Sequence, residues 1–283
     1  MPTTRPLGES VHTKSYRVKP GSKVRLDNWD PADTSGFDGD KEDGLALLDA
    51  IKEKIDPLQE LLYAEHKHKF LIVLQGMDSA GKDATIRRVF EGVNPEGVRV
   101  AHFGRPSGED LDHDYLWRAH RQVPGKGEIV IFNRSHYESV LVERVHSIVP
   151  EKVWRLRYKQ ISDFERMLAE EGTTTLKFFL LIDKKEQKKR FDDRLRDPTK
   201  HWKFSYLDYA ERRYWDDYTR AYEEALEKTS TEDAPWYIVP SNHGWFRDLL
   251  VGKVIHSSLK DLGMKYPELD KTKLEMATQE SPH

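Results

Sequence analysis

The chain of 283 residues contains no cysteine. A disulfide framework, a thiolate zinc site and a cysteine nucleophile are thereby excluded, and a reducing compartment fits. No stretch approaches 18 apolar residues, so no membrane-spanning helix is expected. The N-terminus, Met1 to Gly8, lacks an apolar signal core, and a soluble cytoplasmic protein is the expectation. An excess of charge is missing too. The formal net charge is −3, which does not attract nucleic acid to the molecule as a whole, and no nucleic-acid reading motif is present. No internal repeat and no low-complexity linker divides the chain, so one domain with helical decoration is the simplest organisation.

What the chain does contain is centred on residues 69–85. Phe70 to Leu74 is a short apolar run that reads as a strand buried on both faces. It leads into Gly76-Met-Asp-Ser-Ala-Gly-Lys82, which fits G-x-x-x-x-G-K. Ala84, Ile86, Val89 and Phe90 then follow at helical spacing. Strand, glycine-bounded loop, lysine and helix form the context of a phosphate cradle. Backbone N–H groups of Gly76, Ser79, Ala80 and Gly81 would face the anion. The helix N-terminus adds partial positive charge and Lys82 a full one. The motif usually continues with Ser or Thr for magnesium, but Asp83 stands here and Asp78 lies inside the loop. Acids in a phosphate cradle repel the ligand unless a cation lies between. Asp78 and Asp83 therefore suggest metal-loaded phosphate. The plainer reading of Asp83 is a first-turn acid favoured by the helix dipole.

The remaining elements alternate. Residues 1–40 read as an extended arm that packs on its own domain or a neighbouring subunit. Lys41 to Lys67 is helical, with Pro57 expected to kink or split it. Strands are expected at 98–103, 128–132, 176–182 and 236–239, and helices at 109–122, 140–145, 151–170, 184–196, 205–228 and 245–262. The rest, to residue 283, forms a tail. This pattern predicts a parallel five-stranded α/β sheet flanked by helices. Ligands in such sheets bind at the carboxyl ends of the strands, which gathers Gly76–Asp83, Gly104–Pro106, Asn133–Glu138 and the segment after Ile182 around one crevice. Asn133, where an acid usually ends the strand, is a candidate metal ligand together with Asp78. Arg134 can fork onto phosphate oxygens, or pair with Glu138.

Residues 184–203 carry nine basic and four acidic side chains, a local excess of five in a chain of net −3. The region, about 184–204, reads as a helical lid that closes over phosphates. Arg190, Arg194, Lys200 and Lys203 are its candidate ligands, and a solvated basic face is the plain alternative for the lysines at 184, 185, 188 and 189.

Four segments together resemble the polyphosphate kinase 2 family: Gly76-Met-Asp-Ser-Ala-Gly-Lys-Asp83, Phe132-Asn-Arg-Ser-His-Tyr-Glu138, His113-Asp-Tyr-Leu-Trp-Arg118 and Arg194-Leu-Arg-Asp-Pro-Thr-Lys-His-Trp-Lys203. The match covers about residues 40–262. The resemblance implies a thymidylate-kinase-like P-loop fold and magnesium-dependent, reversible transfer of the terminal phosphoryl group of inorganic polyphosphate to a nucleotide, with manganese as a substitute metal. It implies Asp78 as organiser of metal and phosphate, Lys82 as the cradle lysine, Arg134 as a phosphate ligand and Arg194 as the lid arginine. Asn133 departs from the family's Asp and resembles the subgroup that accepts AMP as well as ADP. Adenine nucleotides, or guanine nucleotides in their place, are the expected acceptors. Gly104, Arg105, Asp114, Arg118 and Glu138 are the expected acceptor contacts, and i, i+4 surface pairing is the plain alternative for Asp114 and Arg118. A homo-oligomer, dimer or tetramer, is expected from the arm and from Trp215 and Tyr218, taken as exposed aromatics. The rivals are an ATP-dependent nucleotide kinase on the same fold and a non-catalytic polyphosphate- or nucleotide-binding module.

Lys82→Ala is expected to lower turnover by several orders of magnitude without unfolding the chain. Near-normal turnover of a folded variant would remove the loop from the mechanism.

Overall fold

The computed structural model describes residues 11–203 and 205–269, without the side chain of Lys203. Helix α1, Lys41–Glu65, leads into strand β1, Lys69–Gly76. Then come α2 (Lys82–Val89), β2 (Val98–His102), α3 (Gly108–Leu111), α4 (Trp117–His120) and β3 (Ile129–Asn133). Two helices, α5 (Val142–Val145) and α6 (Glu151–Glu170), precede β4 (Thr173–Leu181). The order continues with α7 (Lys184–Arg196), α8 (Tyr206–Glu211), α9 (Trp215–Thr229), β5 (Trp236–Pro240) and α10 (Gly244–Asp261).

The five strands form one sheet in the order β2-β3-β1-β4-β5, every pair parallel. Side chains of β1 alternate between two cores. Phe70, Ile72 and Leu74 pack under α1 and α10, whereas Leu71 and Val73 pack under α6 and α9. β3 divides in the same way, Ile129 and Ile131 to one side and Val130 and Phe132 to the other. A strand apolar at every position is what burial on both faces requires. The register pairs Leu74 with Asn133 and Gly76 with Leu180. The carboxyl ends of β1, β3 and β4 thus lie side by side, and the loops that follow them share one crevice. No helix among the described residues is long and apolar enough to cross a membrane.

Four elements depart from the sequence expectation. α1 runs unbroken through Pro57. Pro57 and Glu53, whose carbonyl loses its helical partner, both lie on the exposed side. Water can satisfy that carbonyl, while Leu48, Ile51, Ile55 and Leu62 stay packed in the core with α10. The helix expected at 109–122 is two single turns. Ser107 and Asp110 form a capping box at the first, and the Asp114 carboxylate accepts from Leu116 N at 2.9 Å, so side-chain bonds to the backbone outcompete a continuous helix. The helix expected at 205–228 breaks into α8, a 3-10 turn at Arg212–Tyr214 and α9. At 140–145 only the turn Val142–Val145 is helical, after a 3-10 turn at His136–Ser139.

The described part of the arm packs on its own domain. Tyr16, Val18, Val24, Leu26 and Phe37 are buried. Arg17 bridges Tyr237 in antiparallel sense, and Val18 N donates to Trp236 O at 2.8 Å. The arm thereby covers the open edge of β5, an edge that would otherwise invite pairing with other chains.

Ile72 is 1 % exposed at the centre of the sheet. Ile72→Ala should cost about 2–5 kcal/mol of unfolding free energy. Urea titration would show it, and a midpoint equal to the parent's would contradict the assigned core.

Candidate active site

The loop after β1 is shaped by close packing. A Cβ on Gly76 would stand 2.9 Å from the Leu180 carbonyl oxygen. Gly81 has φ of 114° and leaves no room for a Cβ against the buried Arg247 guanidinium. These two glycines are required because β4 and α10 press on the loop, and a left-handed backbone suits glycine. Ser79 and Arg134 are non-glycine residues with left-handed φ of 65° and 61°, a strain of about 1–3 kcal/mol each that surrounding structure must hold.

Lys82 opens α2 and curls back, its Nζ donating to Gly76 O at 2.7 Å. Burial of the ammonium, aided by repulsion from Arg134, pulls its pKa down to about 8, against the opposing attraction of Asp78, Glu138 and Asp83. Arg134 Nη2 meets Asp78 Oδ1 at 2.7 Å, and its Nη1 stands 3.6 Å from Glu138 Oε2. Burial works against the Arg134 charge, but Glu138 and Asp78 more than offset it, so the guanidinium is held more firmly protonated than usual. Asn133 Nδ2 donates to Asp83 Oδ1 at 2.6 Å. The structure thus joins Asp78, Lys82, Asp83, Asn133, Arg134 and Glu138 in one constellation at the ends of β1 and β3.

The same geometry corrects several expectations. Arg190 does not face the crevice as a free phosphate ligand. Its Nη1 donates to Ser79 O at 2.9 Å and to Ala80 O at 3.2 Å, its Nη2 to Ser241 O at 2.5 Å, and its Nε to Glu186 at 3.0 Å. It grips the cradle from behind, because loop carbonyls turned away from the anion need a donor. Lys200 is an exposed partner of Asp197 at 2.7 Å. Lys203's side chain lies outside the described residues. Arg194 stands 3.6 Å from Asp208 on α8. Asn133 donates its Nδ2 amide to Asp83 here, which orients that carboxylate. Gly104, Arg105, Asp114 and Arg118 lie on the β2 side. Arg118 Nη1 donates to Gly104 O at 2.9 Å, Asp114 caps a turn, and Arg105 is exposed. Glu138 alone of the five expected acceptor contacts lines the cavity beside the cradle.

That cavity brings in residues the sequence reading missed. Gln187, Glu211 and Arg212 line it, with Trp215, Tyr218 and Tyr222 from α9. Trp215 and Tyr218 are half-buried walls of the site, so they no longer argue for self-association. Their spacing with Tyr222 at three and four residues was the available signal. Gln187 Nε2 donates to Asp78 O at 3.0 Å and Arg212 donates to Gln187 Oε1 at 3.0 Å, which ties lid to loop. Asp208 also faces the constellation. Burial raises its pKa, Asp78 adds to the rise, and Arg194, Arg134 and Lys82 oppose it. No local motif marks Asp208, because its position depends on how α8 folds back over the loop.

As a metal site the donor set is sparse. Among the described residues no three acidic or histidine side chains cluster as a cage. Asp78 and Asp83 beside a phosphate cradle instead fit magnesium, which takes one or two carboxylates, waters and substrate phosphates.

Comparison with known proteins decides the family. The family model "Polyphosphate kinase 2 (PPK2)" matches residues 38–267. The chain belongs to the polyphosphate kinase 2 family. A Meiothermus ruber relative, named AMP/ADP-polyphosphate phosphotransferase, is 56% identical over 255 residues, covering 90% of this chain and 96% of the relative. A Rhodopseudomonas palustris ADP-polyphosphate phosphotransferase is 44% identical over 270 residues, covering 91% and 93%. The crystal structure of polyphosphate kinase 2 from Arthrobacter aurescens TC1 superposes with a TM-score of 0.90 at 41% identity, covering 96% of this chain and 98% of that one. The two chains share this fold, and in the strand order β2-β3-β1-β4-β5 the cradle follows the central strand.

The depressed Lys82 makes anion binding sensitive to pH. An anion raises the Lys82 pKa from about 8 toward its free value. Binding therefore takes up a proton above pH 8 and weakens as pH rises through that value. Calorimetry with inorganic tripolyphosphate in buffers of different ionisation enthalpy should detect this uptake near pH 9 and lose it in Lys82→Met. Equal proton counts in both proteins would refute it.

Proposed function

We propose that the protein transfers the terminal phosphoryl group of inorganic polyphosphate to AMP and to ADP, with magnesium. The observation that carries this reading is the contact of Arg134 with Asp78 at 2.7 Å beside the Lys82 ammonium. It concentrates two cations and a metal-binding acid at the mouth of one phosphate cradle. The names of the Meiothermus and Rhodopseudomonas relatives support polyphosphate and adenine nucleotides as substrates. Asn133 in place of an acid supports acceptance of AMP, as in the name of the 56% identical relative.

In this reading an anionic oxygen of the acceptor's terminal phosphate attacks the terminal phosphorus of the donor. One P–O–P anhydride forms while another breaks, and polyphosphate leaves one unit shorter. The acceptor oxygen carries no proton that must be removed, so the residues act by position and charge. Backbone N–H groups from Gly76 to Gly81 hold the phosphate, and Lys82 and Arg134 neutralise charge on the transferred group. Bound magnesium, held by Asp78 and Asp83, would supply further charge neutralisation across the phosphates. Arg194 reaches the crevice by leaving Asp208 for phosphate. The cavity lined by Glu138, Trp215 and Tyr218 suits the acceptor.

The test is nucleotide product formation from AMP and separately from ADP, with long-chain polyphosphate and magnesium as the only additions. ATP from both acceptors is expected. ATP from ADP alone would discard AMP acceptance, and no product from either would defeat the reading.

A further inference from the structure

Beneath the site lies a charged network that the proposed transfer does not use. Lys177, Glu165, His136, Tyr137 and Thr229 are each at most 1 % exposed. Lys177 Nζ donates to Glu165 Oε2 at 2.5 Å, to Thr229 O at 2.6 Å and to Tyr137 Oη at 2.9 Å. Tyr137 Oη donates to Glu165 Oε1 at 2.8 Å and lies 2.9 Å from Thr229 Oγ1. His136 Nε2 meets the same Glu165 oxygen at 3.2 Å. The Tyr137 ring packs edge-on against Trp236, with centroids 4.9 Å apart.

A buried ion pair is a poor route to stability, since apolar replacements of similar volume are often as stable. Its value here is geometric. In the segment after β3, Arg134 and Glu138 reach the crevice, while Ser135, His136 and Tyr137 turn down into the core. His136 and Tyr137 both end on one carboxylate. Ser135 Oγ accepts from Tyr137 N and from Gln75 Nε2, each at 3.1 Å. Arg134 is left-handed, a conformation that persists only where its surroundings over-determine it. The network also binds the last residue of α9, Thr229, and α9 carries Trp215 and Tyr218 at the cavity.

We propose that Tyr137, Glu165 and Lys177 are positioning residues for phosphoryl transfer. They anchor the segment after β3 from below and so fix the Arg134 guanidinium where the transferred group must pass. This rests on the function proposed above.

The test is a double-mutant cycle between Tyr137→Phe, which removes one hydroxyl, and Arg134→Ala. Tyr137→Phe should lower kcat between about 10- and 100-fold, as small misplacements of catalytic groups do, with acceptor KM changed by less than about threefold. In the Arg134→Ala background the same change should move kcat by less than about twofold, because the anchored group is gone. Thr229→Val, which removes a partner of the Tyr137 hydroxyl, should repeat the pattern and stands in if Tyr137→Phe does not fold. A kcat close to the parent's would overturn the proposal. So would an equal loss in both backgrounds, which marks a general structural effect. A parent protein without polyphosphate-driven turnover defeats the function reading and this role together. Turnover in the parent with an unaffected Tyr137→Phe defeats the positioning role alone.

Discussion

Burial of the Lys82 ammonium beside a second cation, Arg134, is the constraint around which the site is built. A polyanion needs both cations in one place, and placing them there costs free energy before any ligand arrives. Burial and Arg134 together pull the Lys82 pKa down to about 8. Asp78, Asp83 and Glu138 keep the pair tolerable, and Asp78 meets Arg134 directly at 2.7 Å. The acids that look out of place in a phosphate cradle are therefore counter-charges to Lys82 and Arg134.

The scaffold serves that constellation from three sides. β1 is hydrogen-bonded on both edges and buried on both faces, so its loop starts from a rigid end. From the β5 side, Arg190 and Arg247 press on the loop, Arg190 through carbonyls of Ser79 and Ala80. From above, Gln187 and Arg212 tie lid to loop. A guanidinium used in this way is part of the mould, with five donors in a fixed fork that match several carbonyls at once. Basic residues of the lid thus divide into two kinds. Arg190 shapes the cradle through its carbonyls, and Arg194 pairs with the Asp208 carboxylate of α8.

Much of this was legible in the chain. A parallel five-stranded sheet followed from short apolar runs alternating with helical spacing, and the cradle from Gly76 to Asp83. What local reading missed were breaks and partners. Asp114 breaks the expected helix at 109–122 by accepting from Leu116 N. Pro57 fails to break α1 because the lost hydrogen bond lies on the exposed side and α10 packs on the other. Trp215 and Tyr218 look like surface aromatics in sequence, and only the fold of α9 against the cradle makes them walls of the cavity.

The sequence by itself determined where the glycine-bounded loop and its lysine stand, because a strand–loop–lysine–helix signature is local and its backbone geometry follows from neighbouring residues. It also carried the family, through four motifs spread along the chain. Tertiary structure decided which partner each charge takes. Arg190 and Arg194 sit four residues apart on one helix, yet one faces carbonyls and the other a carboxylate. Glu165, Lys177 and Tyr137 have no sequence signature as a unit, because their contacts span 12 to 40 residues. Such contacts are chosen by how sheet and helices pack, and no local pattern encodes that.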